Sequence, residues 1–361
     1  MRLTELARNA LKARIDLPLS LILLVTSRCN SQCVHCFFKS RLNQHQNEMT
    51  LAEYEELSRS LGRLMALRVS GGEPALREDL AEICRIFWRN NNVDELSLAT
   101  NGQMPERVSE AVRQILGACR SDLIVSLSLD GTALVHDTVR GVKGSFDHAV
   151  RTYRYLAELK KSSARLRLYV VSVVSVDNYD NLPELARFVA SEMPEVSGHN
   201  FELVREKRNW VSSKLPTLDK CEQLSALQSA VSASHRDYYH GSALKSLLMQ
   251  GFQQYCFSMY CRTLKEGKQI VPCRAGQAMG VVNEEGEVFL CELFDKVGNV
   301  RDGGFLAAWN SPEAERQRRE IASGRCYCTH SCFRGLSVAL YPWAYPRVLA
   351  RAIFGRRGRL D

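Results

Sequence analysis

Apolar and polar positions alternate in a repeating way over the first half of the chain. Short apolar, β-branched runs at residues 19–25, 67–70, 95–99, 123–129, 167–174 and 200–204 predict strands. Between them, apolar residues recur three and four apart, as at Leu80, Ile83, Ile86 and Phe87. That period predicts helices over 76–89, 105–116, 145–160 and 182–191, with a long loop before residue 145. Thr50 followed by Glu53 forms a capping box, opening a helix expected to reach about residue 65. Strands alternating with helices of this length predict an α/β fold with a parallel sheet and right-handed crossovers. Six such units fit an open partial (β/α)6 barrel over residues 18–205.

The remainder divides by composition. Residues 1–17 read as an N-terminal helical segment and 206–255 as a polar helical linker. Residues 256–335 read as a small cysteine-rich domain, and 336–361 as a basic, aromatic tail. Within the third region, residues 280–291 predict a β-hairpin around Asn283, Glu284, Glu285 and Gly286.

The predicted strand ends carry the informative residues, and in parallel barrels chemistry sits at those ends. After the first strand come Cys29, Cys33 and Cys36, spaced C-x3-C-x2-C. Three thiolates on one loop can each take an iron of a cubane cluster, leaving one iron open to a small molecule. Zinc would want a fourth ligand nearby, and only His35 is at hand, between Cys33 and Cys36. After the second strand, Gly71 and Gly72 let the backbone approach a ligand closely, ahead of Glu73 and Pro74. Thr100, Asn101 and Gly102 close the third strand. Ser126, Ser128 and Asp130 share one face of the fourth by their period of two.

This set resembles the radical S-adenosylmethionine (radical SAM) superfamily over most of the chain. The resemblance implies a [4Fe–4S] cluster on Cys29, Cys33 and Cys36 that reductively cleaves S-adenosylmethionine to a 5′-deoxyadenosyl radical, which then abstracts a hydrogen atom from substrate. It implies that Gly71, Gly72 and Glu73 attend the methionine amino group and that Arg140 holds the methionine carboxylate. Ser126, Ser128 and Asp130 suit the ribose or carboxylate, and Asn101 either caps its strand or touches the cofactor. His35 stands where the family usually has an aromatic near the adenine; a planar imidazole can fill that place.

Cys273, Gly286, Cys291, Cys326, Cys328 and Cys332 resemble, in their order, the auxiliary-cluster (SPASM or shorter twitch) domain of the same superfamily. Five cysteines for four positions imply one auxiliary [4Fe–4S] cluster. Cys273 and Cys291 are the firmest members, Cys328 and Cys332 the expected completing pair, and Cys326 a reserve. Cys256 and Cys261 are substitutes or packing residues. A four-thiolate zinc site suits the same cysteines. His330 reads as a loop residue, and Cys84, Cys119 and Cys221 as small buried hydrophobes.

Charge and cysteine content refine this picture. A net charge of +8 fits an anionic substrate or surface without selecting one. Its basic residues are scattered, so no nucleic-acid partner is expected. The apolar run 17–25 contains Pro18 and ends at the cysteines without a cleavage site, so it reads as a strand, not a signal peptide. An open-iron cluster needs reducing surroundings, which predicts a cytoplasmic enzyme served by a flavodoxin- or ferredoxin-type electron donor. The 28 residues ahead of Cys29 are too few for a leader-binding domain. Small-molecule or carbohydrate dehydrogenation or epimerisation is therefore expected ahead of peptide modification. A zinc-stabilised scaffold is the alternative outside enzymes. The tail 336–361 is expected to dock on the barrel, with peripheral membrane contact through 336–359 as the alternative.

Overall fold

The computed structural model describes residues 15–44, 47–205, 215, 217–234 and 243–355. Strands β1 (Ser20–Leu24), β2 (Ala66–Ser70), β3 (Glu95–Thr100), β4 (Asp122–Ser128), β5 (Leu166–Val174) and β6 (Gly198–Leu203) run parallel in chain order. They alternate with α1 (Leu51–Arg59), α2 (Leu80–Asn91), α3 (Pro105–Ala118), α4 (Ala133–Arg140), α5 (Ser145–Ser162) and α6 (Leu182–Glu192). All six expected strands form. Helix α4 occupies what the sequence suggested was loop, because its eight residues are too few to display an apolar period against the background.

The two sheet faces differ in chemistry. On β3 and β4, Leu96, Leu98, Leu123, Val125 and Leu127 are fully buried, forming a core with the helices. The opposite face carries Arg68, Ser97, Ser126 and Ser128, all partly accessible. The barrel is therefore apolar outside its sheet, beneath the helices, and polar within. Every residue of β1 is buried, as a central strand requires.

Beyond the barrel come α7 (Leu218–Ser234), α8 (Ala243–Glu266), β7 (Met279–Val282), β8 (Glu287–Phe289), β9 (Gly298–Asn299), α9 (Gly304–Trp309), α10 (Pro312–Ala322), α11 (Ser331–Ala339) and α12 (Tyr345–Phe354). The hairpin β7–β8 forms where expected, but it is not separate from the barrel. Strand β7 pairs parallel with β1, Ser20 opposite Met279, and extends the sheet to nine strands in the order β6-β5-β4-β3-β2-β1-β7-β8-β9. An unpaired β1 edge would expose a row of backbone donors and acceptors; the hairpin covers it. The cysteine-rich region is thus joined to the strand that carries the cysteine triad.

Other expectations need correction. Cys221 and Cys261 are neither a buried hydrophobe nor a spare ligand, since they form a disulfide between α7 and α8 with Cα atoms 5.7 Å apart. Cys84 and Cys119 are buried thiols, as expected. The tail packs on α8 rather than on the barrel: a Cβ on Gly251 would lie 2.6 Å from Ala352 N and Val348 O, so the helices touch backbone to backbone. The N-terminal helical segment 1–17 lies outside the described residues up to residue 14, as do parts of the linker 206–255.

The first helix stops at Arg59, short of its expected end, but its capping box is complete. Thr50 N–H donates to Glu53 Oε2 at 2.7 Å, and Glu53 N–H to Thr50 Oγ1 at 3.3 Å. Hydrogen bonding by Arg301 holds the Glu53 carboxyl down at about 2. Thr50→Ala should cost about 1 kcal/mol in denaturant unfolding. Glu53→Gln should be less stable than wild type at neutral pH, because the depressed carboxylate pairs with Arg301 there. That gap should close as pH falls from 4.5 towards about 2, where the wild-type carboxylate protonates.

Candidate active site

The triad loop leaves β1 and is held on two sides by backbone. Gly72 N–H donates to Thr26 O at 2.7 Å and Glu73 N–H to Arg28 O at 2.8 Å. From the other side, Gln32 N–H donates to Arg140 O at 3.0 Å and Val34 N–H to Val139 O at 2.9 Å. These contacts explain the glycine pair. Gly71 sits at φ +132°, and its Cβ would lie 2.4 Å from Thr26 O; a Cβ on Gly72 would lie 2.2 Å from Arg28 O. Asn43, missed in the sequence, fastens Cys29 through its side chain, accepting from Cys29 N–H at 2.9 Å and donating to Cys29 O at 3.1 Å. It does so from φ 59°, a conformation asparagine tolerates better than most residues.

Cys29, Cys33 and Cys36 line one cavity of about 180 Å³, together with His35, Gly71, Gly72, Asn101, Ser128 and Arg140. Six of the nine expected cofactor contacts therefore converge. The other three do not line it. Glu73 is fully buried and accepts from Asn101 N–H at 2.7 Å, Thr100 Oγ1 at 3.0 Å and Ala75 N–H at 3.1 Å. Burial raises its carboxyl despite those donors. It ties the second strand-end loop to the third. Ser126 lies deeper on β4, beyond the cavity lining.

Asp130 is the third departure. Its carboxylate pairs with Arg140 at 2.7 Å, accepts from Val173 N–H at 2.8 Å and faces His35 Nε2 at 3.9 Å. Burial would raise this group, but the Arg140 guanidinium, the His35 and His136 rings and the Val173 N–H together hold the carboxyl below its ordinary value. Arg140 also reaches Cys33 Sγ at 3.6 Å, so the pair braces the triad from beneath. His136, unremarked in the sequence, supports this brace. It accepts from Asp130 N–H at 3.0 Å, and burial lowers it to about 4, so the ring is neutral.

The cavity also exposes Arg205 and Glu292, which sequence reasoning missed. Arg205 follows β6, so the strand-end rule could have flagged it; it lies over the Phe37 ring at 4.6 Å. Its Nη1 meets Glu292 Oε2 at 3.2 Å and the His330 ring at 3.0 Å. Glu292 in turn contacts His330. His330 is consequently a buried member of a charged network, not a plain loop residue. Nothing local in the sequence announces that three-way meeting.

Cys273, Cys291, Cys326 and Cys328 line a second cavity, of about 60 Å³. Gln269 staples their loops, accepting from Cys273 N–H at 3.2 Å and donating to Cys326 O at 2.7 Å. Cys332, expected to complete the set, lies outside that lining. It hydrogen-bonds His330, which holds its thiol below the ordinary value against the effect of burial, and it senses Arg68 and Glu202. Cys256 is half-buried beside Tyr255 and Met259 of α8 and lines neither cavity.

The donor chemistry fits clusters. Among the described residues, no three His, Cys, Asp or Glu groups converge on a position for a single ion. One zinc ion would draw its sulfurs to about 2.3 Å from a common centre, whereas a cubane spreads them over separate irons. Cys29 and Cys273 are each pushed up to about 11 by burial, so metal binding at either must displace a proton. Asp130→Asn should cost about 3–5 kcal/mol in denaturant unfolding of the metal-free protein, because Arg140 would lose its buried counter-charge. A residue that merely touched a ligand would leave that stability unchanged.

Comparison with known proteins agrees with this geometry. The Radical SAM superfamily model matches residues 23–189, and the iron–sulfur cluster-binding (SPASM) domain model matches 273–333. The mycofactocin maturase MftC of Mycolicibacterium smegmatis is 28% identical over 345 residues, covering 91% of this chain and 80% of that protein. An AdoMet-dependent heme synthase of Methanosarcina barkeri is 27% identical over 319 residues, covering 84% and 85%. In fold, the chain resembles Streptococcus suis SuiB bound to S-adenosylmethionine, with a TM-score of 0.57 at 15% identity over 88% of this chain and 70% of that one. The structure of native anSMEcpe with bound AdoMet gives 0.56 at 15% identity, covering 93% and 100%. With iron–sulfur clusters and S-adenosylmethionine as its cofactors, the chain belongs to the radical SAM superfamily and carries a C-terminal SPASM domain.

Proposed function

We propose that Cys29, Cys33 and Cys36 hold the S-adenosylmethionine-binding [4Fe–4S] cluster, and that Cys273, Cys291, Cys326 and Cys328 hold one auxiliary cluster. The observation that carries this reading is the single cavity into which the triad thiols and Gly71, Gly72, Asn101, Ser128 and Arg140 all open. When bound and reduced, such a cluster supplies the electron that splits S-adenosylmethionine, and the resulting radical removes a hydrogen atom from substrate. The chain supplies position. Gly71 and Gly72 offer bare backbone to the cofactor, and Asn101, fixed by Asn30 at 2.7 Å, offers an oriented amide. His35 provides a planar face. Arg140, already spent on Asp130 and Cys33, favours thiolate at the triad by its charge.

For the substrate, the likeness to a maturase over most of both chains supports a peptide, set here ahead of the small-molecule expectation drawn from the short N-terminal segment. A heme precursor is the second reading, supported by the likeness to the heme synthase over most of both chains. Arg205 and Glu292 at the cavity wall suit either, as opposed charges that can hold a carboxylate or an amide. A flavodoxin- or ferredoxin-type donor completes the proposed system. Anaerobic incubation with a short peptide encoded beside the gene, followed by mass spectrometry, separates the readings. A mass change in the peptide supports the first, and turnover of a heme precursor alone supports the second.

Anaerobically reconstituted protein should hold about eight irons and eight sulfides per chain. Replacing Cys29, Cys33 and Cys36 together by alanine should abolish 5′-deoxyadenosine release after dithionite reduction while keeping about four irons. Undiminished release would contradict the assignment. In a second test, Cys326→Ala should lower bound iron to about four, whereas Cys332→Ala should keep about eight. The reverse result would move the fourth auxiliary ligand to Cys332.

A further inference from the structure

Eleven large apolar side chains stand exposed among the described residues, and five of them fall within one stretch of twelve: Trp343, Tyr345, Leu349, Ile353 and Phe354. Trp343 is 73% exposed and Phe354 81%. Helix α12 has two apolar stripes. One, through Val348 and Ala352, is spent on Gly251 of α8. The other places Tyr345, Leu349 and Ile353 four residues apart, one above another, and turns them to solvent. Arg347 and Arg351 lie exposed on the other side of the helix, one turn apart and next to Phe354. A soluble surface rarely leaves such a cluster bare unless something covers it.

Charge identifies the cover. Between Glu320 and Asp361 the sequence has no acidic residue and seven arginines. A second copy of this chain would set the same arginines against each other across a twofold axis, so self-association is disfavoured. An anionic surface is favoured, and large aromatic and aliphatic side chains beside guanidinium groups suit the boundary between lipid headgroups and acyl chains. Among the described residues no helix is long and apolar enough to cross a membrane, so the contact lies on a bilayer and does not span it. We infer that Trp343 and α12 form a docking surface for an anionic lipid bilayer, an assignment independent of the substrate.

The test uses the full chain with two kinds of vesicle: phosphatidylcholine alone, and phosphatidylcholine mixed with phosphatidylglycerol. Binding is read by co-sedimentation and by tryptophan emission. The chain should pellet with the mixed vesicles only, with an emission blue shift that Trp343→Phe removes. Arg347→Gln combined with Arg351→Gln should weaken binding roughly twentyfold or more, as each arginine near an anionic surface contributes severalfold. Ile353→Glu combined with Phe354→Glu should abolish it. Both pairs should release 5′-deoxyadenosine normally without vesicles, which shows that they fold. Equal pelleting with both vesicle types, or binding that survives both paired substitutions, would overturn the inference. So would a concentration-dependent dimer, dissolved by Ile353→Glu, in a chain that ignores the mixed vesicles.

Discussion

The structure depends on a close backbone approach: the cysteine loop after β1 is sewn to its neighbours by main-chain hydrogen bonds that leave no room for a Cβ at Gly71 or Gly72. Thiols on a free loop would have many arrangements, and metal binding would have to select one at the cost of backbone entropy. Here four interloop bonds and the Asn43 clamp meet that cost during folding. The same contacts form the cavity wall, since the glycines that permit the approach also line the cavity.

Electrostatics follows from that arrangement. A loop holding three thiols must tolerate negative charge when metal binds, and Arg140 is placed beneath it. A buried arginine alone would be prohibitive, so Asp130 balances it, with neutral His136 bonded to the aspartate's backbone. On the far wall, Arg205, Glu292 and His330 repeat the scheme and link the end of β6 to the loop bearing Cys291 and to the start of α11, which carries Cys332. The elements bearing the two cysteine cavities share one sheet because β7 pairs with β1.

Much of this was legible in the sequence, and the failures have physical reasons. Strands β1 to β6 announced themselves because a parallel strand is a short apolar run and its successor lies one helix away. The triad, the glycines, Asn101 and Ser128 were legible because strand ends converge in such a fold, while Arg140, at the end of α4, was reached through the family resemblance. Glu73 and Asp130 were assigned to the cofactor, since a sequence marks where a carboxylate sits but not what it bonds. Pairing of β7 with β1, across more than two hundred residues, leaves no local trace. The Cys221–Cys261 bridge is equally silent, because connectivity depends on how two helices meet. Asn43, Gln269 and His330 act through side-chain bonds to distant backbone or charge, which no periodicity reveals.

The central claim is that three thiols, and no fourth, serve the cluster at the β1 loop, so that one iron remains available to S-adenosylmethionine. Electron paramagnetic resonance of the reduced protein tests it most directly, in a variant lacking the auxiliary cysteines so that only the triad site contributes. The account predicts a [4Fe–4S] signal whose g values shift when S-adenosylmethionine is added. A signal indifferent to S-adenosylmethionine would mean that every iron is already satisfied, and would contradict it.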